Sequence, residues 1–239
     1  MTNLLAIESS ASLCSVAVSY KGVLVTREQE GQRSHTQYMM AFIDEVFNEL
    51  NCTIQDMDAV VFSAGPGSFT GVRLAASVAK ALAYAASIPV IAISSLAVIA
   101  QTCSRITQSS TPCLVITDAR MDELYVAEYN FDSNDCAYAV QGDMLLSINM
   151  FKLNQYQAKR IVGDAEILLQ DIKSTSEYTW LSLTANAQDL IILGAKAYSE
   201  GFVTTALKAE AIYLRDKTSW KNTEQQLEAK EQLPKKNNK

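Results

Sequence analysis

The sequence predicts an α/β protein built in two lobes. Three observations carry that reading. Short strand-like runs alternate with helical stretches through the first part of the chain; a polar stretch from Ser104 to Thr111, closed by Pro112, interrupts the pattern; and new strand-like runs begin at Cys113.

The elements follow in order. Leu4-Leu5-Ala6-Ile7 is a short apolar strand, and Cys14 to Ser19 follows with partial period-two alternation. Lys21-Gly22 reads as a hairpin turn into Val23 to Thr26, so the chain opens as a three-strand meander. Ser34 reads as a helix cap, with Gln37 three positions on completing a capping box. Met39, Ile43, Val46 and Leu50 recur at helical spacing, while Met40, Phe42 and Phe47 widen the apolar surface beyond one stripe. Such a helix either lies between two layers of its own protein or divides its surface between core and partner, and both readings stay open.

Ala59 to Ser63 is the next strand and runs directly into Gly65-Pro66-Gly67-Ser68-Phe69-Thr70-Gly71-Val72-Arg73. From Leu74 to Ala86 an Ala-dominated helix is expected, whose small side chains let its axis approach a neighbour closely. Pro89 to Ile93 is a strand, and Ser94-Ser95 caps the helix after it. In the second lobe, Cys113 to Thr117 and Leu124 to Tyr129 are strands around an Asp118 to Asp122 turn, Arg160 to Val162 is a strand ending at Gly163-Asp164, and Asp189 to Glu200 is an amphipathic helix. The expected division is 1–109, 110–217 and a polar tail from 218 to 239 whose Lys residues could meet an anionic partner.

Composition narrows the function. With 239 residues, 49% hydrophobic and 19% charged, the chain can bury a large core without a metal or disulfide staple. Its net charge of -6 argues against a dominant non-specific grip on nucleic acid. Five Cys residues without a CxxC spacing read as small hydrophobes in a reducing compartment. No secretory pattern opens the sequence and no apolar run is long enough to span a bilayer, so the expected setting is the cytoplasm. A single His, His35, cannot supply the paired imidazoles of a zinc protease, and no intrinsic metal is expected.

Several residues could carry chemistry. The Gly65 to Gly71 loop could turn backbone N–H groups toward a phosphate, yet it matches neither the dinucleotide nor the Walker spacing; the competing reading is a tight strand-to-helix connection that places Phe69 and Arg73 at a surface. Glu8, Ser9 and Ser10 close the first strand, where a carboxylate beside hydroxyls could hold Mg²⁺ or a water near a phosphate; with Gly67 they form the candidate nucleotide site. The alternative is ordinary turn hydrogen bonding with Glu8 partly solvated. Ser34 and His35 are adjacent and point apart, so a hydrolase pair is not favoured over a helix start. Asp118, Arg120, Asp122 and Glu123 read as charges bracing a turn, with an interface role as the alternative.

The block Ala64-Gly65-Pro66-Gly67-Ser68-Phe69-Thr70-Gly71-Val72-Arg73 resembles the TsaB (YeaZ) family of proteins that serve threonylcarbamoyladenosine synthesis on tRNA. Leu5 to Ser10, Cys14 to Val18, His35-Thr36-Gln37, Asp118 to Tyr125 and Ala211 to Arg215 look like the same family in the same order. The resemblance implies an actin, sugar-kinase and Hsp70-like (ASKHA) fold with ribonuclease-H-like lobes. It implies a noncatalytic partner and activator of TsaD, which transfers a threonylcarbamoyl group to N6 of A37 in ANN-decoding tRNAs, with the ATPase TsaE in the larger assembly. No catalytic residue, metal or intrinsic cofactor is then expected on this chain; ATP or ADP, Mg²⁺ and the catalytic metal belong to the partner proteins, and tRNA is met through the complex. The partner surface implied is helical and lies on the first lobe, at Met39, Met40, Phe42, Ile43, Val46, Phe47, Phe69 and Arg73, a face that a second copy of the chain could also take. Glu8-Ser9-Ser10 departs from the Asp and Gly with which nucleotide sites of that fold usually begin. An independent ATPase or kinase of the same fold is the alternative.

Overall fold

The computed structural model describes residues 2–31, 35–169 and 177–215. Strands β1 (Leu4–Glu8), β2 (Leu13–Tyr20) and β3 (Val23–Glu30) form the expected antiparallel meander, and β4 (Ala59–Gly65) and β5 (Val90–Ser94) extend it in parallel on the other side of β1. The order across the sheet is β3-β2-β1-β4-β5. β1 lies in the middle and is buried along its whole length, which is why it reads as a continuous apolar run rather than an alternating one.

The second sheet repeats that plan. β6 (Cys113–Arg120) pairs antiparallel with β7 (Glu123–Phe131); β7 carries β8 (Ala137–Ala139) and β9 (Met144–Ser147); β10 (Arg160–Val162) and β11 (Thr179–Leu181) add in parallel beyond β6. Read from its far edge, with β9 beside β8 on the same flank of β7 and set aside, the order is β8-β7-β6-β10-β11, again third, second, first, fourth and fifth. Two sheets of this order are the two ribonuclease-H-like lobes of the predicted fold.

Helices fill the layers. α1 (His35–Leu50) covers β2 and β3, and α2 (Phe69–Ala86) covers β4, all on the outer face of the first sheet. α3 (Ser95–Thr107) and α4 (Ala187–Ser199) lie between the sheets, where Leu96, Ile99, Leu190 and Leu193 meet Leu4 and Val61 from one lobe and Val115 and Tyr129 from the other. Although α4 comes from the second half of the sequence, it packs on β1 and β2 of the first sheet. It sits so close to β4 that a Cβ on Gly194 would lie 2.5 Å from a Val61 methyl. The outer face of the second sheet is covered by residues 148–158 and 165–169, with Phe151 and Tyr156 stacked at 5.8 Å.

Some element boundaries differ from the sequence reading. α2 starts at Phe69 rather than Leu74, because Ser68 caps it by accepting from the Gly71 N–H at 3.4 Å. α3 continues through Ser104 to Thr107, since Thr102 and Thr107 satisfy their hydroxyls on carbonyls one turn back. Ser34 and the tail from 218 to 239 lie outside the described residues.

Candidate functional site between the lobes

Four of the sequence blocks singled out above converge on one cleft of about 950 Å³ between the lobes. Its wall includes Ser10 and Gly67 from the first lobe, Asp118, Arg120 and Asp122 from the second, and Tyr213 and Arg215 from the end of the described chain.

The first-lobe wall is made of two loops fitted against each other. The Ser68 N–H donates to the Ser10 carbonyl at 2.7 Å, and the Ser9 hydroxyl donates to the Gly71 carbonyl at 2.8 Å. A Cβ on Gly67 would sit 2.4 Å from the Ser10 carbonyl oxygen, and one on Gly71 only 1.8 Å from that of Ser9. Both glycines are therefore required by close approach of backbone to backbone. Gly65 has a φ of +97°, and its missing Cβ leaves room for the Ile212 carbonyl. The loop is thus a tight strand-to-helix connection, with Phe69 and the Arg73 side chain at the surface.

Glu8 departs from the expected partly solvated turn residue: it is fully buried, as are Ser9 and Ser10. One carboxyl oxygen accepts from the Ser10 N–H at 2.5 Å, and the other has no hydrogen-bond partner. Behind Ser10, the Ser63 hydroxyl lies 2.6 Å from that of Ser95, whose residue lines the cleft. Burial raises the Glu8 carboxyl pKa above its ordinary 4.5, against the opposing pull of the nearby Ser10 and Ser63 groups. The same burial, with the Glu8 charge nearby, pushes the Cys14 thiol up to about 11.

The second-lobe wall carries an unusual turn. Arg120, Met121 and Asp122 take φ values of +63°, +59° and +59° in succession, none being glycine. Asp118 holds its start, accepting from the Arg120 N–H at 2.6 Å and pairing with the Arg120 guanidinium at 2.8 Å. Arg215 holds the rest: it donates to the Ala119 carbonyl at 3.1 Å and pairs with Glu123. The segment leading to Arg215 is anchored on the first lobe. Thr204 pairs with Val90, Lys80 donates to the Ala209 carbonyl at 2.9 Å, the Ile212 N–H donates to the Ala64 carbonyl at 2.7 Å, and the Tyr213 hydroxyl accepts from Arg73 Nε at 3.1 Å. Arg73 itself stacks on Phe69, 3.5 Å from the ring centroid. This strap from Thr204 to Arg215, whose end lines the cleft, is an element the sequence reading did not find, beyond its last five residues.

The predicted partner residues separate into two groups. Met39, Ile43 and Val46 are buried and do not form a docking surface; at positions i, i+4 and i+7 they face the core between α1 and the first sheet. Met40 is 45% exposed, Phe42 and Phe47 are half-buried, and Phe42 stacks on Tyr38 at 5.7 Å. On α2, Leu74, Val78 and Leu82 add a second half-buried apolar row at i, i+4 and i+8. His35 is buried, with Nε2 3.2 Å from the Ser12 carbonyl. Among the described residues no three His, Cys, Asp or Glu gather as a metal-ligand set, and no helix is long and apolar enough to cross a membrane.

Two lobes of matching strand order around a shared helical layer, with a cleft between them, define a protein of the ASKHA class. Residues 15–213 match the family model described as TsaD, tRNA N6-adenosine threonylcarbamoyltransferase. The protein named tRNA threonylcarbamoyladenosine biosynthesis protein TsaB from Haemophilus influenzae is 32% identical over 91% of this chain and 95% of its own length; its Escherichia coli counterpart is 29% identical over 91% and 96%. The solved structure of YeaZ from Pseudomonas aeruginosa superposes with a TM-score of 0.81 at 28% identity, covering 90% of this chain and 100% of that one. The chain belongs to the TsaB (YeaZ) family, within the wider family of the threonylcarbamoyltransferase model.

Proposed function

We propose that the chain is a noncatalytic partner and activator of TsaD in forming N6-threonylcarbamoyladenosine at A37 of ANN-decoding tRNAs, within an assembly that includes TsaE. The observation that carries this reading is the outer helical face of the first lobe. Tyr38, Met40, Phe42 and Phe47 on α1, with Leu74, Val78 and Leu82 on α2, leave apolar surface half-covered on the outer helices of a chain whose relatives are named for this modification. Such a face suits a helical partner. The single imidazole is turned into the fold on Ser12, which fits a chain that leaves the catalytic metal to its partner. ATP or ADP and Mg²⁺ are likewise assigned to the partner proteins, tRNA is met through the complex, and the setting is the cytoplasm.

The test is light scattering with size exclusion on the chain alone and after mixing with TsaD, followed by tRNA modification assays on the same fractions. A mixed complex that alone supports modification is the expected result; two folded proteins that never associate would sink the reading. Saturable nucleotide binding by the isolated chain, weakened in Glu8→Ala, would instead favour an independent ATPase or kinase using the cleft between the lobes.

A further inference from the structure

The first turn of α2 and the left-handed turn of the cleft lie on different lobes, yet one unbroken series of contacts joins them. Arg73 Nε donates to the Tyr213 hydroxyl at 3.1 Å; two residues on, Arg215 reaches into the second lobe. There its guanidinium donates to the Ala119 carbonyl at 3.1 Å and the Arg120 carbonyl at 3.4 Å, approaches the Met121 sulfur at 3.4 Å and pairs with Glu123. We propose that this strap is a mechanical link, through which occupancy of the Phe69 and Arg73 surface sets the conformation of the Arg120 to Asp122 turn and hence of the cleft. The link gives the proposed partner face a regulatory output, and in that respect it rests on the reading above.

The argument turns on where the turn gets its conformation. Residues with a Cβ disfavour the left-handed region, and three in succession without Gly or Asn do not hold that shape from local preference. External contacts hold it, and three groups supply them: the Asp118 carboxylate from within the same strand, the Ile148 N–H, which donates to the Asp122 carbonyl at 2.9 Å, and Arg215, the one that reaches the turn from the strap. The Arg215 side chain is only 12% exposed, so it is fixed in place rather than free to follow the turn. Its own position depends on anchors in the first lobe, Ile212 on Ala64 and Tyr213 on Arg73. Moving Arg73 therefore moves an anchor of the group that constrains the turn, and a backbone held in a disfavoured region has another conformation to relax into. Because such coupling is reciprocal, whatever stabilises the turn also strengthens docking at Arg73.

The experiment is amide hydrogen exchange on the full-length chain, wild type against Tyr213→Phe, which removes only the hydroxyl that meets Arg73. Exchange at residues 119–124 should accelerate several-fold in the variant although residue 213 makes no hydrogen bond to that turn, while the amides of β1 and β4 keep their protection. Equal exchange at 119–124 in the two proteins overturns the link, and a general loss of protection in β1 and β4 overturns it too, since the substitution would then act through the whole fold. Arg215→Lys gives an independent check, expected to release the same amides more strongly. A second arm adds TsaD, with complex formation followed by light scattering: binding should slow exchange at 119–124 in the wild type and much less in Tyr213→Phe. A complex that leaves the turn unchanged sinks the link while the partner reading stands. Failure to form any complex sinks the partner reading, and the first arm still decides the link in the chain alone.

Discussion

Ser9 and Gly71 are 62 residues apart in sequence, and the hydroxyl of one donates to the carbonyl of the other at 2.8 Å in the buried seam between the two first-lobe loops. The seam has no slack, since a Cβ on Gly71 would meet the Ser9 carbonyl oxygen at 1.8 Å.

Gly71→Ala should therefore force one loop away from the other. Overpacking a rigid site costs about 3 kcal/mol, to be read as a shift of the urea unfolding midpoint. Gly142→Ala is the matched control: its Cβ would meet nothing within 4 Å, and the expected change is within about 0.5 kcal/mol.

The buried Glu8 carboxyl makes stability depend on pH in a definite direction. Its pKa is raised in the folded chain, so below its ordinary value of 4.5 the folded and unfolded chains both carry the proton, and its contribution is complete. Above that value the unfolded chain gives up the proton more readily, and stability falls until the folded carboxyl also ionises. Glu8→Gln removes this fall. Urea unfolding at pH 4 and pH 8 should show the variant gaining on the wild type at the higher pH; a difference between the two proteins that is independent of pH would contradict the assignment.

Asp189 is fully buried on α4 and accepts from Arg105 through two nitrogens at 2.8 and 2.9 Å and from the Thr102 hydroxyl at 2.7 Å. Arg105→Met leaves that carboxylate in the interior without its cation, which costs about 3 kcal/mol. Since α3 and α4 form the layer between the sheets, thermal unfolding should remain a single transition at a lower temperature.

Neighbours on α1 should respond oppositely to the same change. Met39→Glu puts a charge into the core and is expected to prevent folding, whereas Met40→Glu, on the 45% exposed side chain, should leave the melting temperature within a few degrees. Association with TsaD, followed by light scattering, should weaken at least tenfold in Met40→Glu. Unchanged association would remove this residue from the partner surface.

The sequence was informative where structure is local. The meander, the strand entering Gly65, and the two helices after it follow from periodicity, glycines and caps. The burial of α1 was only half legible, because an apolar helix shows its period but not which side its sheet lies on; Met39 and Met40 differ in burial through packing alone. Glu8 carries no mark in the chain that it will be enclosed by loops from residues 9 to 71. The left-handed turn at Arg120 to Asp122 has no glycine to announce it, since Asp118 and the distant Ile148 and Arg215 hold it in place. Strands as short as β8 and β11, three residues each, have too little sequence to show a period.

Among the described residues the two sheets share one strand order but wear different coats: long helices outside the first, irregular chain and short turns outside the second. The described long helices outside the sheets therefore lie on one lobe. The proposed partner, docking on the first lobe, would meet two long helices on one sheet face, an arrangement that the described residues of the second lobe do not repeat.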